Sequence, residues 1–373
     1  MSLSTYKLTG TMPPTFCSDS AETMEIWAVD SEGKVHTAAQ FKIKYIDTVY
    51  CCNTDLWRLS KQFGSGFDSC ECLEVFDGNL YAGTGNNAGL GNYAKVWVYN
   101  DYTDTWTMLQ NMASNKTVES AKVYDGKIYF GLGDVAGAAW IVSYDGTSWS
   151  LNRNYASPVS KVGALEVYDG NLYSGVYSAV AGNGVVEKFD GTTWTVSTPC
   201  PIGFLGCKCL KADANYLYAG FWNDVGLTTV GKYSTGAGVW SYAGNNAFTD
   251  KKTVRSLEIY NGHLYAGLGS EDGDSELWML NDTTNLWVKI HDFGTGFNRV
   301  ESLKTFDGKL YMGLGNVAGD GRVYYWDESN IVLVKQFNPV TVEQVECLHD
   351  YNSKLYAGLG RDNSSGAVWM LDS

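Results

Sequence analysis

Little in this chain interrupts a backbone ladder: proline occurs 6 times in 373 residues, which does not suit a proline-rich linker or a disordered tract. Histidine is scarcer still. None of His36, His263, His291 and His349 stands in an H-x-x-H spacing, and neither a G-x-S-x-G elbow nor a phosphate-binding loop occurs, so no recognised catalytic or metal motif is in place. Basic charge is also short. Lys and Arg number 27 against 41 Asp and Glu, for a net charge of −14, and the cations are scattered, so nucleic acid is rejected as a partner. No run reaches the roughly 18 to 20 apolar residues of a membrane span. The opening MSLSTYKLTG lacks the apolar run of a secretory leader. Cysteine is present but odd in number, nine in all, a poor fit to a disulfide-framed scaffold.

What the chain does have is glycine (42), tyrosine (25) and tryptophan (13), the composition of many short strands with glycine turns and aromatic packing. The phrase L/I-Y-x-G recurs seven times, with its tyrosine at Tyr81, Tyr129, Tyr173, Tyr218, Tyr265, Tyr311 and Tyr356, at spacings of 44 to 48 residues. A period of this length is the mark of a repeat architecture. Before each tyrosine the chain reads FDGNLY, YDGKIY, YDGNLY, ANYLY, YNGHLY, FDGKLY and YNSKLY. Asp-Gly or Asn-Gly between apolar runs predicts a two-residue hairpin turn. After strand two come GTG, GLG, GVY, GFW, GLG, GLG and GLG. Each repeat reads as a four-stranded blade.

Glycines after the second strand, then an aromatic, six residues and a tryptophan, as in Tyr99 to Trp106 and Tyr233 to Trp240, resemble the kelch repeat. The likeness extends over about residues 56 to 373. It departs from the family in having G-x-G or a single glycine in place of a doublet, and in the four-residue gaps Tyr144 to Trp149 and Phe189 to Trp194. The resemblance implies an all-β, seven-bladed β-propeller.

The last repeat stops at VWMLDS, one strand short, while DLWRLSKQFGSGF from Asp55 matches NLWVKIHDFGTGF from Asn285, the fourth strand and exit loop of blade five. Residues 55–63 are therefore expected to complete blade seven, closing the ring and removing its exposed edges. The expected division is an N-terminal extension, 1–47, and a propeller, 48–373. MEIWAVDSEGKVHTAAQF in the extension reads as a hairpin, with three placements open: beneath the ring, thickening blade seven, or as an arm to a partner.

In a repeat fold one repeat position becomes a ring. The first strands carry Glu74, Lys122, Glu166, Lys211, Glu258, Lys304 and His349 at one position, alternating in sign, with histidine where an odd ring forbids alternation; ion pairs between blades are expected there. Two residues earlier stand the small residues Cys72, Ser120, Ala164, Cys209, Ser256, Ser302 and Cys347, expected to pack near the axis. One residue before these, Glu71, Glu119, Gly163, Lys208, Arg255, Glu301 and Glu346 are expected around the channel mouth.

The loops after the second strands gather on one face, and their polar residues Asn86, Asp134, Asn223, Asp272, Asn316 and Asp362, with the aromatics Tyr177 and Trp222, are the candidate ligand-binding set. No catalytic residue, metal site or cofactor is assigned. Calcium is the one cation considered, near Glu271, Asp272, Asp274 and Glu276, although the spacing of a twelve-residue calcium loop is missing. The expected function is a non-catalytic binding or assembly propeller with a protein or glycan partner and no membrane insertion. A virion or cell-surface component is favoured by low charge (18%) and abundant tyrosine. The alternatives are a lectin-like attachment protein and an enzyme with a site at the channel mouth.

Overall fold

The computed structural model describes residues 27–29 and 35–37, and 56–372 apart from 87–93, 113–114, 116, 134–136, 138, 179, 181–183, 200–203, 224–225, 245–247, 317–320, 338–343 and 361–365. The chain forms two compact units, Met1–Thr54 and Asp55–Ser373. In the first, Trp27–Val29 pairs antiparallel with Val35–Thr37, in the segment expected to be a hairpin.

In the second unit the described residues are all β, and their pairings make seven antiparallel groups of four strands. Blade one is Ser69–Phe76, Asn79–Gly85, Lys95–Asn100 and Thr105–Asn111, and its plan recurs in the blades that begin at Thr117, Val159, Gly206, Val254 and Phe297. The seventh combines Gln344–Tyr351, Lys354–Gly360 and Ala367–Leu371 with an early strand, Trp57–Gln62, whose Trp57 lies opposite Leu371. The Gly-Ser-Gly and Gly-Thr-Gly exits that revealed this equivalence share their geometry: Gly64, Gly66, Gly294 and Gly296 all have positive φ.

Turn chemistry sets the hairpins. Asp77-Gly78, Asp125-Gly126, Asp169-Gly170, Asn261-Gly262, Asp307-Gly308 and Asn352-Ser353 have positive φ at both residues, the type I′ geometry whose twist matches a hairpin. Blade four uses a different device, the Asp213 carboxylate accepting from the N–H groups of Asn215 and Tyr216, each at 2.7 Å. The tyrosine ahead of several turns ties blades together. Tyr124, Tyr168, Tyr260 and Tyr351 donate to carbonyls in the next blade's turn, those of Gly170, Asn215, Gly308 and Gly78, at 2.6 to 3.2 Å.

The most regular feature lies at the axis. Every first strand carries a β-bulge at the same place, between Cys70 and Cys72 in blade one and at the equivalent point in the other six. A bulge leaves one residue out of the ladder and re-aims its side chain. Here that residue is the member of the channel-mouth ring, Glu71 through Glu346. The next residue is the small one, and it faces the glycine of L-Y-x-G. In six blades it donates across the seam to the next blade's backbone: Cys72 to Val118, Ser120 to Val162, Cys209 to Val254, Ser256 to Val300, Ser302 to Val345 and Cys347 to Cys70, at 3.0 to 3.6 Å. Blade three has Ala164, which has nothing to donate.

The glycines opposite have no room for a methyl group. A Cβ on Gly267 would fall 2.7 Å from the Val300 carbonyl oxygen and 2.8 Å from Val300 Cγ1, whereas one on Gly236 would meet nothing within 4 Å. Gly267→Ala should therefore lose about 1–3 kcal/mol through overpacking. Gly236→Ala should stay within about 0.5 kcal/mol of the parent. Urea unfolding of both variants checks the contrast, and equal midpoints would refute the packing argument.

Candidate functional site

The seven bulges surround a channel of about 230 Å³, lined in each blade by the ring residue, the small residue after it and an apolar residue such as Leu73 or Leu165. The ring is polarised. Blades three to five contribute Gly163, Lys208 and Arg255, while blades six, seven, one and two contribute Glu301, Glu346, Glu71 and Glu119. On the cationic side one carboxylate serves several cations: Glu301 lies 3.3 Å from Lys208, 3.6 Å from Arg255 and 4.0 Å from Arg299. Burial pushes Glu301 up, but the three cations outweigh it and hold the group at about 2. Glu119 follows the same logic on a smaller scale, burial opposing and Lys161 at 3.3 Å prevailing.

Glu71 and Glu346 meet the reverse balance. Burial, then the Glu119 charge, raises Glu71, and burial, then Glu71 and Glu301, raises Glu346 well above the usual carboxylate range. Opposing the rise, Ser69 donates to Glu71 at 2.6 Å with the Lys208 and Lys161 charges acting on the same group, and Gln344 donates to Glu346.

Above the cationic half opens a cavity of about 350 Å³, lined by Lys161, Gly163, Tyr177, Gly206, Cys207, Lys208, Trp222, Lys252, Thr253, Arg255, Ser270 and Glu271. Its walls come from the two places where the repeat breaks its own rule. In four blades the second glycine of G-x-G abuts the next blade so closely that no side chain fits, a Cβ on Gly85, for example, falling 2.9 Å from Thr117 Cα, and in a fifth Gly315 is crowded by Arg299 and Asn298 of its own blade. Blades three and four carry Tyr177 and Trp222 at that position, and these rings stack at 4.8 Å with planes 25° apart. Room is made on the opposing strands. Gly206 pairs with Tyr177, and Thr253 bridges Trp222. Gly163, the side-chain-free member of the ring, and Ala164 lie at the same seam.

The expected loop-face residues thus separate. Tyr177 and Trp222 come together in the cavity wall. Asn86 and Asn223 are buried and hold loops: Asn86 donates to Gly66 O at 2.7 Å, and Asn223 donates to Leu227 O at 2.9 Å while accepting from Gly226 N at 3.0 Å. Asp272 accepts from Gly296 N at 2.6 Å. Asp134, Asp362 and the Asn316 side chain lie outside the described residues. In the acidic loop considered for calcium, lysines occupy the carboxylates: Glu271 pairs with Lys252, Asp274 with Lys251 at 2.9 Å, and Glu276 with Lys251 at 3.4 Å and Lys289 at 2.6 Å. Among the described residues no three His, Cys, Asp or Glu side chains are gathered as a metal would require. Lys161 and Lys252 were missed by the sequence reading, because they sit at different positions in their repeats.

The alternating ring lies deeper along the first strands. Lys122 pairs with Glu166 at 2.7 Å and Lys211 with Glu258 at 2.5 Å, both between neighbouring blades. At the odd seam Lys304 turns to Asp350 at 2.6 Å, and His349 Nε2 stands 3.9 Å from Glu74. Burial, with Glu166 adding to it and Lys122 opposing, raises Glu74 to about 7. Burial and then the Lys304 charge lower His349 to about 4, with Asp350 opposing.

No family model and no curated protein matches the chain. Solved structures do. The structure of U3-55K is similar with a TM-score of 0.58 at 12% identity, over 85% of this chain and 98% of that one. YCF48 bound to D1 peptide is similar with a TM-score of 0.57 at 12% identity, over 86% of this chain and 96% of that one. At this identity the likeness carries the fold: the chain is a β-propeller.

The Glu74–His349 seam gives opposing pH slopes. Between about 4.5 and 7 folded Glu74 keeps a proton that the unfolded chain has lost, so its contribution to stability falls as pH rises. Between about 4 and 6.5 folded His349 lacks a proton that the unfolded chain binds, so its contribution rises. Relative to the parent, His349→Gln should lose stability progressively from pH 4 to 6.5, and Glu74→Gln should gain it from pH 4.5 to 7. Urea midpoints across the range test this, and parallel profiles for all three proteins would contradict it.

Proposed function

We propose that this chain is a non-catalytic propeller that binds a protein partner at the mouth of its channel, over blades three to five. The observation that carries the proposal is the cavity beside the Tyr177–Trp222 stack, placed where the repeat gives up its packing glycines. Aromatic rings supply large, rigid contact area at little entropic cost and dominate interface energetics. Half-buried rings at seams that could have carried glycine, as five other seams do, support a surface kept for contact. The similar propeller YCF48, solved with a D1 peptide, supports a peptide as occupant of a propeller face.

Kinship with the kelch repeat rests on the Tyr99–Trp106 and Tyr233–Trp240 pairs, which face each other across the third and fourth strands at 5.1 and 5.3 Å. A surface or assembly setting for the complex is consistent with the low charge and abundant tyrosine of the chain.

Selection of a random displayed peptide library on the whole protein tests the reading. Peptides should be enriched on the parent and lost on Trp222→Ala. Failure to enrich any peptide, together with glycan-array signals that vanish in Trp222→Ala, would replace a protein partner with a sugar.

A further inference from the structure

The small residue after each bulge faces the residue just before the bulge in the next blade. That facing residue is valine in five blades, Val118, Val162, Val254, Val300 and Val345, and cysteine in two, Cys70 and Cys207. Cys207 packs with Ala164. Among the described residues, only the seam between blades seven and one sets sulfur against sulfur. Cys347 Sγ lies 3.5 Å from the Cys70 carbonyl oxygen, and the two thiols share a hydrogen bond. Both crowd the glycine of that seam: a Cβ on Gly358 would fall 2.5 Å from Cys347 Sγ and 3.0 Å from Cys70 Sγ. Both are free thiols, and they stand at the joint that closes the ring.

We propose that Cys70 and Cys347 are a modification site, a dithiol that a small-molecule disulfide oxidises to a cross-link fastening blade seven to blade one. Access to the pair is unequal. Cys347 is half-buried and lines the channel of about 230 Å³, whereas Cys70 is fully buried. A reagent R–S–S–R entering the channel therefore meets Cys347 first. The Cys347 thiolate attacks one reagent sulfur, forming Cys347–S–S–R and expelling R–S⁻; the Cys70 thiolate then attacks the Cys347 sulfur, closing the protein disulfide and expelling the second R–S⁻. The two cysteines lose two electrons to the reagent, and their two protons pass to the expelled thiolates. Burial, and behind it the Glu346 and Glu71 charges, pushes both thiols up, so the exchange is slow. Cys209 supplies an internal contrast. It is half-buried and lines the same channel, but it faces Val254, so it can carry the mixed disulfide and go no further. The cross-link joins residues 277 apart in sequence and so constrains the unfolded chain over that length. It adds a covalent tie to a ring that Trp57–Gln62 otherwise closes by pairing with Ala367–Leu371.

The test incubates the whole reduced protein with 2-hydroxyethyl disulfide at about pH 8.5, where thiolate is more abundant than at neutrality. Remaining thiols are alkylated, and the protein is digested without reduction and mapped by mass spectrometry. A linked pair of peptides carrying Cys70 and Cys347 should appear, together with a hydroxyethylthio adduct on Cys209. Cys70→Val and Cys347→Ser install residues that other blades carry at the same positions, so both variants should fold; each should lose the link, and Cys70→Val should leave the adduct stranded on Cys347. Cys72→Ser should keep the link, which separates Cys70 from its neighbour on the same peptide. The urea midpoint of the linked protein should rise by about 0.5 M or more and return on reduction. Adducts without a link, a link that survives Cys70→Val, or no reaction at Cys347 would overturn the proposal. A link that left the urea midpoint unchanged would overturn its role in fastening the ring.

Discussion

The propeller depends on one close approach, repeated at each seam. A bulged first strand sets a small side chain against the glycine of L-Y-x-G, and the next blade's backbone closes over both. The contact leaves no space for a methyl group at Gly267 and the six equivalent glycines, and a hydroxyl or thiol satisfies a backbone carbonyl across the seam in six of seven cases. The same bulge takes a residue out of the ladder and turns it to the axis. Packing between blades and the chemistry of the channel are thus one structural event, and a charge placed at the bulge reaches the mouth of the channel with no further device.

Legibility in the sequence follows from this regularity. The turn pairs, the seven tyrosines, the closing strand and the alternating charges could be aligned because a repeat fold converts equal positions into equal environments. The small-residue layer could be located, but its cause is contact with glycine and the neighbouring blade; simple crowding at the axis was too coarse an account. The cavity was only half visible. Tyr177 and Trp222 stood out as aromatics in loop-like phrases, yet their meaning lies in what they replace, the second glycine of G-x-G. Lys161 and Lys252 could not be grouped with Lys208 and Arg255 by alignment, because curvature of the ring, not repeat position, brings them to one place. Asn86 and Asn223, expected among the ligand contacts, are seen to hold their loops, a role that side-chain type alone does not reveal.

A symmetric scaffold acquires a site where symmetry is broken. Gly163 in place of a charge, Ala164 in place of a hydrogen-bonding side chain, Gly206 opposite Tyr177, and aromatics where glycine is the rule all fall at blades three and four. With Lys208 and Arg255 on that side and Glu346, Glu71 and Glu119 on the other, the channel mouth is polarised instead of a uniform ring.

The strand pairing in blade seven has a temporal side. Trp57 is among the first residues of the ring to leave the ribosome, and its partner Leu371 is among the last. At about 5 to 20 residues per second, the early strand waits roughly fifteen seconds to a minute for its ladder. Six blades are built from consecutive chain and can assemble in order, so the ring forms as an open arc whose final step is a contact between the two most distant parts of its own sequence. During that interval the arc presents unpaired edges of the kind that join one chain to another. Protection at this stage must come from the kinetics of synthesis or from a chaperone, since the closed fold offers it only at the end.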